Sequence, residues 1–261
     1  MNFGHLFKKK ERLTQLEQKQ QELNSKCAQN KGDRWAFVAI LPRSGFVPTV
    51  HSAKRDGEQA KVFVEKIRGR SNGLAPLFLS DAWFYAEPIF ETYSHYEDVP
   101  YCGRGRPPHP VRVVAEELMY AQVYKKRDKK GKIESIETRI IKGNKEEILA
   151  IIKATSRGAT KINTSFVEGK NGTYRKDNAR LTRKSACHSK KAIYHDAHIY
   201  FLTAVFNFSR ENIGLRKKIN PNAGLFEQKY QKISPAMQEG LTDKILSIKE
   251  LLAIRPKKAN I

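Results

Sequence analysis

The sequence has few cysteines and no long apolar run. Its three cysteines, Cys27, Cys102 and Cys187, are odd in number and too widely spaced to act as paired metal ligands, so neither a zinc site nor a disulfide framework is indicated. A reducing, intracellular compartment is the expectation. No apolar segment approaches the roughly 20 residues that a membrane span needs, and the first ten residues are too polar for a secretory signal. We therefore expect a soluble protein without a membrane partner.

Acidic residues are scarce relative to basic ones. The 261 residues include 27 Asp and Glu against 49 Lys and Arg, which leaves a formal net charge of +22. In a chain with 39% hydrophobic residues, enough for a core, this excess indicates a polyanionic partner, and nucleic acid is the default. A basic binding protein without an active site would have the same composition. Composition alone leaves both possibilities open.

One carboxylate stands out because of the residues around it. Glu168 ends the sequence Asn163-Thr-Ser-Phe-Val-Glu and precedes a strongly basic run that contains a single acid, Asp177. The basic residues of that run are Lys170, Arg175, Lys176, Arg180, Arg183, Lys184, Lys190 and Lys191. A lone acid in such a segment is either a salt-bridge partner or a metal-binding carboxylate placed among phosphate-binding cations. A second carboxylate is needed to choose between them.

Hydrophobic periodicity and turn signals predict a mixed α/β chain. The predicted strands are Arg34–Leu41, Phe46–His51, Leu77–Leu79, Leu118–Tyr124 and Ile133–Ile141. The predicted helices are Gly57–Arg68, Trp83–Tyr93, Lys145–Lys153, a helix that bears Glu168, and Lys191–Phe208. The charged turn Lys125–Lys132 should form the tip of a basic hairpin.

Asp81 is the second carboxylate of interest because of its position. It comes just after the carboxyl end of a predicted strand, which is where ligand groups gather in sheets with parallel strands. If Asp81 and Glu168 converge, they form a hard oxygen site suited to Mg²⁺, which binds through one or two carboxylates and water. Phosphodiester chemistry is the obvious use of such a site. Their separation in the sequence neither proves nor excludes convergence.

The irregular loop from Pro100 to Pro110 contains the tetrapeptide Arg104-Gly105-Arg106-Pro107. It resembles the core of an AT-hook, whose narrow backbone lets two arginines enter an AT-rich minor groove. A plain Pro-Gly linker explains the same four residues, so both interpretations stay open.

Around these acids the chain resembles the DDE-type transposases of bacterial and archaeal insertion sequences, and within them the insertion-sequence-one-like group. The likeness extends over nearly the whole chain and is most specific at Ile162-Asn163-Thr164-Ser165-Phe166-Val167-Glu168. Further matching segments are Gly32-Asp33-Arg34-Trp35-Ala36-Phe37-Val38-Ala39, Lys54-Arg55, Ser80-Asp81, Tyr120-Ala121-Gln122-Val123, Gly143, Arg180-Leu181-Thr182-Arg183-Lys184, Asn207-Phe208 and Leu215-Arg216.

The resemblance implies an RNase H-like mixed sheet flanked by helices, with the basic hairpin inserted between two catalytic acids and a helical C-terminal tail. Asp81 would be the second acid and Glu168 the third, and both would bind Mg²⁺ or Mn²⁺. The DNA contacts that we assign on this basis are Arg104, Arg106, Asn163, Arg175, Arg180, Arg183 and Lys184. The implied reaction is metal-dependent cleavage at element ends and transfer of the freed 3′ hydroxyl into target DNA.

The same resemblance implies the partners and the location. The partners would be double-stranded DNA, both element ends and target, and further copies of the chain assembled on it. The location would be the cytoplasm, in association with the nucleoid.

The first acid of the family pattern is missing. The family places it a few residues before an aromatic strand and a Lys-Lys pair, which here correspond to residues 1–10, and these contain no carboxylate. We therefore expect the chain to begin within or just after the first catalytic strand, without the segment that reads element ends in relatives. Asp33 is not expected to substitute, since the family has a structural Gly-Asp there. The expected domains are a strand remnant with a polar helical insertion (1–30), the core (31–216) and a basic helical tail (217–261).

Three smaller departures accompany the missing acid. Gly169 stands where the family usually has Arg, Ser80 replaces the commoner Thr, and Asn212-Ile213-Gly214 replaces a histidine-containing turn. The leading hypothesis is a DDE transposase that has lost its first acid. The alternative is a noncatalytic DNA-binding fragment, a competitor or relic. An RNase H-like nuclease or resolvase of another kind would explain the acids but not the basic run after Glu168.

Overall fold

The computed structural model shows a mixed α/β protein, as the sequence predicts. It describes residues 34–83, 85–101, 103, 106, 108–182, 187, 189, 191–222 and 228–254. The strands are β1 (Trp35–Val38), β2 (Val50–Ala53), β3 (Leu77–Asp81), β4 (Ser94–Glu97), β5 (Val111–Val114), β6 (Met119–Arg127), β7 (Ile133–Lys142), β8 (Lys217–Lys218) and β9 (Tyr230–Gln231). The helices are α1 (Gly57–Arg68), α2 (Ala86–Thr92), α3 (Lys145–Thr155), α4 (Ser165–Asp177), α5 (Ala192–Ala204), α6 (Pro235–Gln238) and α7 (Ile248–Ala253).

The chain divides into two compact units. The central unit comprises Lys54–Glu168, and the flanking unit combines Met1–Ala53 with Gly169–Ile261. The expected domain boundaries at residues 30 and 216 stay a prediction. In the described part of the chain, no helix is both long and apolar enough to cross a membrane.

A three-stranded sheet organises the central unit. β3 runs parallel to β6, with Leu77 opposite Met119 and Asp81 opposite Val123, and β7 runs antiparallel on the other side of β6. A parallel pair needs a long crossover connection, and here it includes α2 and the antiparallel pair β4–β5. β6 is therefore the middle strand of the order β3-β6-β7.

Helices cover both faces of this sheet. Successive strand residues point to opposite faces, so Tyr120 and Ala121 belong to different cores. Tyr120 packs with residues of α1 and α2, and Ala121 packs with residues of α3. The first cluster of buried residues is Val64, Ile89, Tyr93, Leu118 and Tyr120, and the second is Ala121, Val123, Ile148, Ile152 and Ile162.

Local signals fix the two longer helices of the central unit. The Asp56 side chain accepts a hydrogen bond from the Gln59 N–H at 2.8 Å and begins α1, and Asn144 accepts from the Glu146 N–H at 2.9 Å and begins α3. Such caps satisfy backbone N–H groups that have no partner inside the helix. The apolar side chains of each helix then lie on one face, toward the sheet.

Asn207 holds the β1–β2 hairpin in the flanking unit. Its side chain accepts from the Val47 N–H at 3.0 Å and donates to the Val47 carbonyl at 2.9 Å. Asn207 lies in a π-helical turn, Val205–Ser209, that directly follows α5. Val47 and Asn207 are only 2% and 4% exposed, so water cannot readily replace these two hydrogen bonds.

Replacing Asn207 with Ala should destabilise the protein. The substitution leaves a buried N–H and a buried carbonyl of Val47 without partners, and each unsatisfied group costs about 1–3 kcal/mol. We expect the free energy of unfolding in denaturant titrations to fall by about 2–6 kcal/mol. Asn222→Ala, at an exposed position of the same unit, is the control and should change it by about 0.5 kcal/mol or less. Equal effects of the two substitutions would contradict the assigned role of Asn207.

Lys170 is a buried amine in α4. The residue is 5% exposed, its Nζ has no hydrogen-bond partner among the described residues, and it lies over the ring of Phe206. Burial lowers the pKa of Lys170 from 10.5 to about 7; the charge of Arg210 lowers it further, and that of Asp177 opposes the shift. An amine with this pKa is largely uncharged above neutral pH.

Stability should therefore increase with pH between about 7 and 10.5. In that range unfolded Lys170 binds a proton that the folded protein does not hold, so raising the pH favours the folded state. Lys170→Met should raise the free energy of unfolding at pH 7 and remove much of this pH dependence. Lys176→Met, an exposed position of the same helix, is the matched control. The prediction fails if the pH dependence of unfolding is the same in both variants.

Several predicted elements differ from those observed. The segment after Arg216 is not a helical tail in its described part, because it contains the short β8–β9 ladder and only two short helices. The strands β4 and β5, which flank the Pro100–Pro110 loop, were not expected. The β6 strand continues to Arg127, so the hairpin tip is the shorter turn 128–132. These differences arise where packing rather than local sequence decides the backbone.

Candidate active site

Asp81 is the last residue of β3. Its carbonyl accepts hydrogen bonds from the Trp83 N–H and from the Ser80 hydroxyl, both at 2.8 Å. The Ser80 hydroxyl also lies 2.9 Å from the Tyr120 hydroxyl, which accepts from the Gln122 side chain at 2.7 Å. This polar network ties the end of β3 to β6. The backbone of Asp81 is thereby fixed at the carboxyl end of β3, beside the middle of β6.

The pKa of the Asp81 carboxyl is raised. Partial burial disfavours the charged form of the carboxyl and is the main cause, although part of the residue is exposed. The positive charge of Arg55 opposes this effect. The negative charge of Glu168 raises the pKa further, and that of Lys125 lowers it. Arg55 is held above the Trp83 ring, with its guanidinium carbon 4.9 Å from the ring centroid. The Asp81 carboxyl thus lies within electrostatic reach of one acid and two cations.

Glu168 lies in the first turn of α4. Its backbone N–H donates to the Thr164 carbonyl at 3.0 Å, and its Oε1 accepts from the Thr164 hydroxyl at 2.6 Å. The same Oε1 accepts from Lys125 Nζ. Partial burial by itself raises the pKa of Glu168, but the hydrogen bonds from Lys125 and Thr164 and the charges of Lys125 and Arg127 outweigh it, so the net pKa is lowered. Glu168 is therefore an ionised carboxylate at neutral pH.

Lys125 connects the two acids. It lies on β6 two residues beyond Val123, the partner of Asp81, and strand alternation places it on the same face of the sheet. It forms an ion pair with Glu168 and lowers the pKa of Asp81. The structure therefore brings Asp81 and Glu168 into one electrostatic cluster, with the Lys125 ammonium as a shared counter-charge.

The predicted DNA-binding residues lie in different places. Arg104, Arg183 and Lys184 fall outside the described residues, and Arg106 is an exposed residue of the central unit. The Asn163 side chain is used locally, since it accepts from the Ser165 N–H at 3.1 Å and donates to the Lys161 carbonyl at 2.9 Å.

Two more predicted DNA-binding residues belong to the flanking unit. Arg175 is in the last turn of α4, where its carbonyl accepts from the Thr182 hydroxyl at 2.9 Å. Arg180 is exposed in the 3₁₀ turn Ala179–Leu181, and its charge contributes to lowering the pKa of His198, after the larger effect of burial. DNA binding by any of these residues stays a prediction.

Sequence reasoning assigned no role at the site to Lys125, Arg55 or Thr164, although Arg55 and Thr164 lie in segments that carry the resemblance. Lys125 had been assigned to a charged turn, although it continues the alternation Ala121, Val123 on one face of a strand. The signal for Lys125 is a basic residue at the next position of an apolar strand face, after Ala121 and Val123. Arg55 offers no such signal, because its proximity to Asp81 depends on how the chain before α1 meets the end of β3.

The acidic pair has the donor chemistry of a magnesium site but not a complete ligand set. Mg²⁺ prefers oxygen ligands and is often held by one or two carboxylates, with water completing the octahedron. Among the described residues, no group of three or more His, Cys, Asp or Glu side chains is arranged to hold a metal ion. No protein-family model, curated protein or solved structure matches this chain.

Removing Lys125 should raise the pKa of Glu168. The Lys125→Met variant loses the hydrogen bond and the positive charge that lower this pKa, whereas the partial burial that raises it remains. The pKa of Asp81 should also rise, since Lys125 lowers it. Carboxyl NMR titrations of the two residues measure both shifts. Lys126→Met is the control, because Lys126 pairs with Glu134 instead; unchanged pKa values in Lys125→Met would refute the shared counter-charge.

Proposed function

We propose that this chain is a DDE-type transposase with an RNase H-like catalytic core, in which Asp81 and Glu168 are metal ligands. The observation that supports this proposal most is the convergence of two acids that are distant in the sequence. One terminates a strand in a parallel pair, and the other lies in the first turn of a helix that follows the hairpin. The resemblance assigns these two residues as the second and third acids of the family pattern.

The electrostatics of the pair support cation binding. Burial is the main cause that raises the pKa of Asp81, and the negative charge of Glu168 raises it further. A divalent cation bound by both acids would relieve their repulsion. Mg²⁺ or Mn²⁺ in this place would stabilise the charge that develops on a phosphodiester and assist ionisation of water or a 3′ hydroxyl. Asp81 and Glu168 would hold the ion, while Lys125 and Arg127 would attract the phosphate backbone.

The partners follow from the same proposal. Double-stranded DNA, as element ends and as target, is the substrate that suits the net charge of +22. Copies of the chain would assemble on that DNA, in the cytoplasm and near the nucleoid. Arg104, Arg106, Asn163, Arg175, Arg180, Arg183 and Lys184 are the proposed contacts to the DNA.

A second candidate function is DNA binding without catalysis. It is favoured by the Lys125–Glu168 ion pair, which gives Glu168 a structural partner and makes a metal unnecessary for its charge. It also agrees with the finding that the described residues contain no cluster of three acidic or other metal-binding side chains. The two candidates differ in whether Asp81 and Glu168 matter for chemistry.

Nicking of supercoiled plasmid with Mg²⁺ or Mn²⁺ distinguishes the two functions. If the acids hold a catalytic ion, Asp81→Asn and Glu168→Gln should each lower the nicking rate by about a hundredfold or more, since a bound metal contributes several kcal/mol to the transition state. Glu116→Gln is the matched control, as it removes an exposed acid of the central unit that lies outside the acidic pair.

Each result of this assay has a definite meaning. Nicking that depends on both acids and on the divalent ion supports the transposase. Nicking that survives both substitutions shows that the acids do not carry the chemistry. DNA binding without any nicking, equal in wild type and acid variants, supports the noncatalytic function.

A further inference from the structure

The β6–β7 hairpin continues beyond the sheet. β3 pairs with β6 only from Met119 to Val123, whereas β6 and β7 stay paired as far as Arg127 and Ile133. Residues 124–137, which we call the ribbon, therefore have no third strand beside them in the described part of the chain. Its paired part, four residues of β6, spans roughly 14 Å at about 3.4 Å per residue.

The tip of the ribbon is an ordered turn. The Asp128 carboxylate accepts from the N–H groups of Lys130 at 2.9 Å and Lys132 at 2.7 Å, and the Asp128 N–H donates to the Lys132 carbonyl at 2.9 Å. Gly131 adopts the left-handed conformation that closes the turn, with φ of 81°. The one acid of the tip, Asp128, is bound by the backbone and forms no ion pair with a lysine among the described residues.

The charges of the ribbon are not balanced. Its basic residues are Lys125, Lys126, Arg127, Lys129, Lys130 and Lys132, and its acids are Asp128, Glu134 and Glu137. Lys125 pairs with Glu168 and Lys126 with Glu134. Within the described residues, the three tip lysines form no ion pair, and all three are exposed. The end of the ribbon is thus a concentrated positive charge on a stiff support.

The positive charge continues from the tip to the acidic pair. Lys125 and Arg127 share the face of β6 on which Asp81 lies, because they follow Val123 at intervals of two residues. The charge of Arg127 also reaches Glu168, whose pKa it lowers. Two exposed apolar side chains of the ribbon, Ile133 at 47% and Ile136 at 60%, are available for contact with a partner.

We propose that the ribbon inserts into the major groove of duplex DNA and, resting on the proposed function, guides the strand toward Asp81 and Glu168. A major groove of B-form DNA, about 12 Å wide, admits a two-stranded β-ribbon. The lysines of the tip then meet phosphates on the groove walls, and the isoleucines meet apolar base edges such as thymine methyl groups. The deep, narrow major groove of A-form RNA does not admit a ribbon.

The salt dependence of binding tests this site. The full chain in EDTA is titrated with a short fluorescent DNA duplex of mixed sequence over a series of salt concentrations, and binding is read by anisotropy. In the variant Lys129→Ala/Lys130→Ala/Lys132→Ala, affinity should fall by about tenfold or more, and the slope of log K against log salt should become less negative by about 2.7, which is 0.9 for each lost phosphate contact.

A control removes the same charge elsewhere in the central unit. Lys145→Ala/Lys153→Ala/Lys161→Ala deletes three exposed lysines outside the ribbon and should leave the slope close to that of the wild type. Circular dichroism checks that both variants fold. Equal slope changes in the two variants would mean that only net charge matters, and this would overturn the ribbon as a binding site.

An RNA duplex of the same sequence tests groove insertion. The wild type should bind the DNA duplex more tightly than the RNA duplex, and the ribbon substitutions should reduce this preference. Equal affinity of the wild type for both duplexes would overturn insertion into the major groove.

The failure of this inference is distinguishable from that of the proposed function. Binding in EDTA requires no metal, so the ribbon can bind DNA even if the chain never nicks it. If the wild type does nick DNA, the ribbon variant should nick more slowly at saturating DNA. An equal rate there would overturn the guiding role.

Discussion

The parallel pairing of β3 with β6 is the constraint on which the central unit depends. It sets Asp81 opposite Val123, so that Lys125 is the next residue on the same face of β6. The packing of α3 on that face then leads the chain through Ile162 to Thr164 and Glu168. A register shift of one residue would turn Lys125 to the opposite face, and the acids would lose their common counter-charge.

The two acids respond differently to one environment because their contacts differ. Lys125 and Thr164 bind the Glu168 carboxylate directly and lower its pKa despite partial burial. The positive charges of Arg55 and Lys125 lower the pKa of the Asp81 carboxyl, but burial and the charge of Glu168 outweigh them. The ionised form of Glu168 is stabilised and that of Asp81 is not, so a further positive charge near Asp81 would be favourable.

Two buried polar side chains of the flanking unit, Asn207 and Lys170, differ in their hydrogen bonding. Asn207 is fully used, since both ends of its amide bond the Val47 backbone, and such a satisfied group makes the packing specific. Lys170 is buried without a hydrogen-bond partner among the described residues, and its pKa falls to about 7 as a result. We therefore expect Lys170, and not Asn207, to make the stability of the protein depend on pH.

The sequence by itself determined the features that depend on neighbouring residues. It predicted the bounds of α1, which local caps define, the helix that carries Glu168, and the basic hairpin of β6 and β7. It also singled out Asp81 and Glu168 as the acids of interest. The strands β4 and β5, the irregular chain after Arg216 and the position of Arg55 were not predictable, because long-range packing sets them. Only the tertiary structure decided that Asp81, Lys125 and Glu168 meet, since strand pairing and helix packing, not sequence spacing, bring distant side chains together.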